Sequence, residues 1–364
     1  MPLIRTDRSD IVLPPLARAA QSTATSLWND SADPDELRRS IEFGAVGATC
    51  NPVIAYAAIK AHPEIWVPRL EKLAELHPIW GESELGWAAV RELSIAAAAQ
   101  LLPAFEASGG RDGRLSIQTD PRLHRDAAAL AAQAEEFSRL ASNIIVKIPA
   151  TATGIVAIEE AAYRGVSINA TLSFTVAQAL AVGEAIERAL DRRAADGLPD
   201  QEFGHVVTIM GGRLDDWLKQ WTAANRILVT PGVLDWAGVA TLKKAHHLFV
   251  ARGFRSRILS AAFRSHLQWS ELVGGDLVVS PPFDWQSRIN ENDIPVENRI
   301  DVEVQESILA ELSGLSEFRR AYDDDGMTAD EFAQFGASRN TLRQFLEADA
   351  QLDSLVRDVI VPSA

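Results

Sequence analysis

Eight short runs of β-branched and apolar residues, separated by longer amphipathic stretches, constrain this chain more than any other feature. The runs are Ala24 to Asp30, Ala45 to Cys50, Arg114 to Thr119 and Asn143 to Ile148, then Gly165 to Thr171, His205 to Met210, Arg257 to Ala262 and Asp276 to Ser280. Val and Ile suit a pleated surface, and near-continuous apolar runs suit strands covered on both faces, as in a parallel sheet. The stretches between them, such as Asp35 to Phe43, Asp126 to Ala141 and Ser173 to Asp191, carry helical periodicity. This alternation predicts βα units, and eight of them predict a (β/α)8 barrel. An open doubly wound sheet is the alternative, but its glycine-rich phosphate fingerprint is missing.

The expected organisation is an N-terminal extension over 1–23, a barrel over 24–282 with a helical insertion at 55–113, and a helical segment over 283–364 packed on the barrel or over its mouth. In the last of these, Thr328 followed by Glu331 reads as a capping box opening a helix. A chain of 364 residues that is 47% hydrophobic has ample length for a large core.

A net charge of −15 argues against nucleic-acid or anionic-membrane partners, so an anionic substrate must meet a local basic pocket. Cys50 is the single cysteine, which forbids an intrachain disulfide and fits a reducing cytoplasm. The first residues lack the apolar core of a signal peptide, and no stretch approaches the roughly 18 uncharged apolar residues of a membrane helix. A cytoplasmic protein, monomeric or homodimeric, is the expectation. The seven histidines form no metal motif; His246 and His247 are adjacent and face apart on a helix. Asp323 to Gly326 lacks calcium-loop spacing. No metal site is expected.

Within the fourth run stands Lys147. Burying an ammonium without a partner is costly and lowers its pKa, and a neutral buried amine is what Schiff-base chemistry requires. A lysine snorkelling from a strand end is the bland alternative. Its neighbours weigh against that, because catalytic groups of a barrel gather at the C-terminal strand ends, and these ends are polar. The first run ends at Asp30 and the second leads into Asn51. The third places Ser116, Gln118 and Asp120 on one face, and the fifth does the same with Asn169 and Thr171. Trp217, Trp269 and Trp285 are candidates for the mouth.

Five segments, in order, resemble the motifs of transaldolases: Ala48 to Pro52, Ser116 to Leu123, Val146 to Thr151 with Gly154 following, Asn169 to Phe174, and Gly212 to Trp217. The resemblance covers roughly 26–280. It implies a class I aldolase barrel and a Lys147 Schiff base, with Asp30 as acid/base and Gln118 and Thr171 around the water of imine formation. It further implies Asn51, Ser116, Asn169 and Thr208 as substrate-positioning groups and Arg213 and Arg264 as a phosphate clamp. The implied reaction moves a dihydroxyacetone unit between sugar phosphates, from a donor such as sedoheptulose 7-phosphate or fructose 6-phosphate, without a metal or organic cofactor.

Three positions depart from the pattern. Gln118 stands where most transaldolases have glutamate; it can orient a water but cannot carry its proton. The related fructose 6-phosphate aldolases resemble this chain in having glutamine there, but place tyrosine where this chain has Met210 and most transaldolases have phenylalanine. Ala262 replaces a serine that serves as a phosphate ligand in the family. Aldol cleavage without transfer, or transfer on an unusual ketose, is therefore the second reading. A sugar-binding paralogue without turnover is the third.

Overall fold

The computed structural model describes residues 13–199, 204–292 and 294–362. The part of the expected N-terminal extension before residue 13 lies outside them. All eight expected strands form, the second with the expected bounds and the others trimmed or shifted by a few residues: β1 (Ser26–Asn29), β2 (Ala45–Cys50), β3 (Arg114–Gln118), β4 (Ile144–Pro149), β5 (Ile168–Thr171), β6 (Val206–Ile209), β7 (Arg257–Ala261) and β8 (Val278–Ser280). They close in sequence order into a parallel barrel, β8 pairing back to β1. This is a (β/α)8 barrel, not the open sheet.

The helices of the N-terminal half are α1 (Pro15–Ser22), α2 (Pro34–Glu42), α3 (Pro52–Ala61), α4 (Pro63–Leu76), α5 (Glu82–Ala107) and α6 (Ala127–Ser138). Those that follow are α7 (Ala152–Tyr163), α8 (Val176–Ala195), α9 (Gly211–Ala224), α10 (Ala237–Arg252), α11 (Leu267–Ser270) and α12 (Phe283–Glu291). The C-terminal segment adds α13 (Glu306–Ser313), α14 (Ser316–Tyr322), α15 (Ala329–Phe332) and α16 (Gly336–Ile360). The capping box forms as expected, with Thr328 N donating to Glu331 Oε2 at 2.9 Å, although the helix it opens is only four residues long. Among the described residues no strand follows β8.

Three helices separate β2 from β3. Of these α5 packs on both strands as an outer-ring helix, while α3 and α4 lie beyond it under α16. By length and composition α5 could cross a bilayer. Here its buried residues, among them Leu85, Leu93 and Leu101, join the core between helices and sheet.

Three apolar clusters organise the packing. The largest fills the space between strands and helices. A small one plugs the barrel lumen with Trp28, Ile145, Val206, Leu259, Ala261 and Val278. Gly47 leaves room for Trp28, since a Cβ there would lie 2.5 Å from Trp28 Nε1. The third joins the rim near β5 to β7 to the C-terminal segment through Leu172, Phe174, Leu214, Phe318, Phe335 and Phe345. Trp269 is wholly buried in the first cluster and so does not line the mouth as expected. Trp217 is half-buried, donates to Glu317 Oε2 at 2.8 Å and packs edge-on against Phe335.

Candidate active site

Side chains alternate across a strand, so the face that buries Ile145 in the lumen also carries Lys147. In register, Lys147 lies between Gln118 of β3 and Asn169 of β5. Its side chain is 5% exposed, and among the described residues its Nζ has no hydrogen-bond partner. Burial depresses its pKa, and Arg213 adds to that; Asp30 and Cys50 oppose it. A lysine held this way offers a larger fraction of free amine near neutrality than a solvated one.

Asp30 follows β1 at the lumen mouth and accepts a hydrogen bond from Thr49 Oγ1. The helix after it is capped by Asp33, whose carboxylate accepts from Asp35 N and Glu36 N. Asp30 is thereby free of the capping role that its position allows. Arg213, in the first turn of α9, is half-buried. Its pKa is lowered by burial and by Arg264, and raised by Asp30 and Asp216. Lys147, Asp30 and Arg213 therefore act on one another electrostatically, and the sequence-predicted nucleophile, acid/base and anion anchor share one site.

Below the lysine, Thr208 Oγ1 donates to Asn169 Oδ1 at 2.7 Å, and Asn169 Nδ2 donates to Ser116 Oγ at 3.0 Å. Ser116 pairs with Ile145, one layer down, so this chain spans the lumen as a polar floor over the apolar plug. Thr171 is buried beside Pro149, and its carbonyl accepts from Ala150 N at 2.7 Å. Gln118 Oε1 is buried without a partner, an acceptor that calls for water or substrate.

Other expected residues are engaged elsewhere. Asn51 caps α3, accepting from Ile54 N at 3.0 Å. Asp120 lies past the end of β3 and is bound by Arg122, with Nη2 at 2.6 Å, rather than sharing the strand face of Ser116 and Gln118. Arg264 is clamped to Asp216, with Nη2 at 2.7 Å, and donates from Nη1 to the Phe263 carbonyl. Arg213, in turn, donates to Thr341 Oγ1 at 3.3 Å and to Gln344, both on α16. The C-terminal helix thus holds Arg213 in place. Cys50 is buried, and its thiol is pushed up to about 12 by burial, which leaves it inert.

The structure adds residues with no local sequence signal. Gln178 Nε2 donates to the carbonyls of Ala150 and Leu172, both at 2.9 Å, tying the end of β4 to the end of β5. Leu172 sits at φ +51, where a non-glycine residue is strained, and this bond helps hold it. Gln268 does the same after β7. Its Oε1 accepts from Arg264 N at 2.5 Å and its Nε2 donates to buried Asp215 at 2.6 Å, beside Ala262 at φ +61. Met210 and Ala262 both pack in the apolar cluster under the C-terminal segment. That cover suits apolar atoms at both positions and would penalise an unpaired hydroxyl.

Comparison with known proteins agrees with this geometry. The family model described as transaldolase/fructose-6-phosphate aldolase matches residues 27–350. A protein named Transaldolase 1 from Streptomyces coelicolor is 35% identical over 242 residues, covering 62% of this chain and 60% of its own length. A Transaldolase from Thiobacillus denitrificans is 31% identical over 62% of this chain and 64% of its own length. Transaldolase 1 of Streptomyces avermitilis is 38% identical over 52% of each. The chain thus spans less than two thirds of each of these relatives.

Proposed function

Because the chain belongs to the transaldolase and fructose-6-phosphate aldolase family, we propose that it transfers a dihydroxyacetone unit from a ketose phosphate to an aldose phosphate through a Schiff base on Lys147. The carrying observation is a buried Lys147 amine, without a hydrogen-bond partner among the described residues, in electrostatic contact with Asp30 and Arg213.

The neutral amine attacks the C2 carbonyl of the ketose, and loss of water gives an iminium. Asp30 takes the proton of the C4 hydroxyl as the C3–C4 bond breaks, and the iminium accepts the electron pair as an enamine. The released aldose departs. The enamine then adds to the carbonyl carbon of the second aldose, Asp30 returns its proton to the new alkoxide, and water hydrolyses the iminium to free Lys147. Asn169 and Ser116 position the sugar and its water from the lumen floor, Asn51 from the rim through its free amide nitrogen, and Arg213 draws the distal phosphate. Arg264 reinforces that end from its bridge to Asp216.

Gln118 favours a second reading, aldol cleavage with release of free dihydroxyacetone. Its amide cannot relay the proton that glutamate would. Turnover of fructose 6-phosphate with and without erythrose 4-phosphate separates the two. Transfer gives sedoheptulose 7-phosphate and requires the acceptor. Release of dihydroxyacetone at the same rate without acceptor establishes the aldolase. No product in either arm refutes both.

A further inference from the structure

At the opposite end of the barrel, where the strands begin, lies a cavity of about 240 Å³ lined in part by His205, His246, Ser256, Arg111, Arg255 and Arg257. Among the described residues, Asp276 is its one acidic lining residue. The reaction described above uses none of these.

His205 precedes β6 and is 2% exposed. Its Nδ1 lies 3.2 Å from Ile168 N, which can only donate. Nδ1 is therefore the acceptor, and the neutral ring carries its proton on Nε2. Burial, reinforced by Arg114, Arg255 and Arg193, pushes His205 down to about 3, so the ring is neutral throughout the physiological range. Among the described residues its Nε2–H donor has no partner. Ser256, 4% exposed, likewise has an unpartnered Oγ. Two orphaned buried donors on one cavity call for an acceptor.

The surroundings favour that acceptor being an anion. The three charges that act on His205 are all guanidinium groups. Arg114 is held close behind it, donating to Gly110 O and Ser167 Oγ, both neutral acceptors. Gly204, at φ +116, makes the approach possible, because a Cβ there would lie 2.7 Å from Arg114 Cζ. Glu187 and Asp191 fix Arg255, Ser26 and Asp112 fix Arg257, and Asp276 pairs with Arg111 and Arg257, so the wall is preorganised. Arg114 and Arg193, which among the described residues donate only to neutral oxygens, supply its uncompensated positive charge.

We propose that this cavity binds a phosphate group, with His205 Nε2 and Ser256 Oγ donating to its oxygens inside the arginine shell. The group comes either as the free ion or as the ester of a small metabolite, and the site is separate from the one at Lys147.

The test is a titration of the full ¹⁵N-labelled chain, following imidazole resonances assigned with His205→Gln and His246→Gln. With inorganic phosphate, His205 and His246 shift on one saturable curve, and the Nε2–H tautomer of His205 is present from the start. Ser256→Ala weakens binding roughly tenfold or more and leaves turnover unchanged. Arg213→Gln, at the other end of the barrel, leaves the curve in place. Arg255→Gln serves as the second variant if Ser256→Ala does not fold. Glycerol 3-phosphate shifting the same signals at lower concentration identifies an ester; inorganic phosphate binding at least as tightly identifies the free ion. A His205 resonance that responds to neither probe overturns the proposal, as does a curve indifferent to Ser256→Ala; the cavity then holds only water.

Discussion

Gly154→Ala tests how the end of β4 is aimed. Gly154 lies in the first turn of α7, where Thr151 Oγ1 accepts from its N–H at 3.1 Å. A Cβ at this position would lie 2.9 Å from the carbonyl carbon of Pro149, with the carbonyl oxygen closer still and Thr151 Oγ1 at 3.3 Å. The obstacle is backbone, not the tip of a flexible side chain. Restoring ordinary contact needs a displacement on the order of 1 Å, and Pro149 is two residues from Lys147. A misplacement of about that size costs roughly 100-fold in rate, and overpacking costs about 1–3 kcal/mol. The assay is single-turnover iminium formation with fructose 6-phosphate, paired with urea unfolding. Gly81→Ala, whose Cβ meets only the flexible end of Glu84 at 3.3 Å, is the control and leaves iminium formation unchanged. A Gly154→Ala enzyme with wild-type rate and stability would refute the claim that this close approach positions the lysine.

Lys147→Met abolishes turnover but raises the unfolding midpoint at neutral pH, because it removes an amine whose charged form is penalised by burial. The folded-state pKa lies below the unfolded value of about 10.4, so the wild-type deficit persists at low and neutral pH. It fades as pH rises through that interval, and the gain shrinks with it. Arg213→Gln raises KM for phosphorylated ketoses by about 10- to 100-fold, from the roughly 1.5–3 kcal/mol of a charge-assisted hydrogen bond, and spares unphosphorylated ones; steady-state kinetics on matched sugars checks it. Asp349 of α16 is pushed up to about 6 by burial, against the pull of Arg122. An acid raised in the folded state is most favourable below its unfolded pKa, and that advantage is lost as pH climbs through 6. Asp349→Asn therefore stabilises at pH 8 by at most about 3 kcal/mol, with little change at pH 4, which chemical denaturation at the two pH values measures.

The barrel was legible because each strand is a short apolar run and each outer helix an amphipathic one. The errors fall where a local signal ran past its element. Gly165 reads as the start of a strand but adopts φ +90 after α7, and β5 begins only at Ile168. Asn51, read as polar lining, also caps α3 through its side-chain oxygen, which leaves its amide nitrogen for that role. Lys147 and Asp30 were visible as charges at strand ends, and Arg213 through the resemblance carried by Gly212 to Trp217. The partners of Arg213 on α16 were not, because Thr341 and Gln344 are more than a hundred residues away and sit in an ordinary amphipathic helix. Gln178 and Gln268 were equally hidden. A glutamine in a helix carries no periodic signal, and only the fold shows that each fixes a strained strand end. Met210 and Ala262 read as departures at the mouth, and the sequence did not show that both pack in the apolar cluster of the C-terminal segment.

The account rests on Lys147 as the nucleophile, and borohydride trapping measures that directly. Incubation with fructose 6-phosphate and borohydride, followed by peptide mass spectrometry, is predicted to give a reduced dihydroxyacetone adduct on the peptide containing Lys147, and none in Lys147→Met. Turnover of the sugar with no adduct at Lys147, or an adduct on another lysine that persists in Lys147→Met, contradicts it.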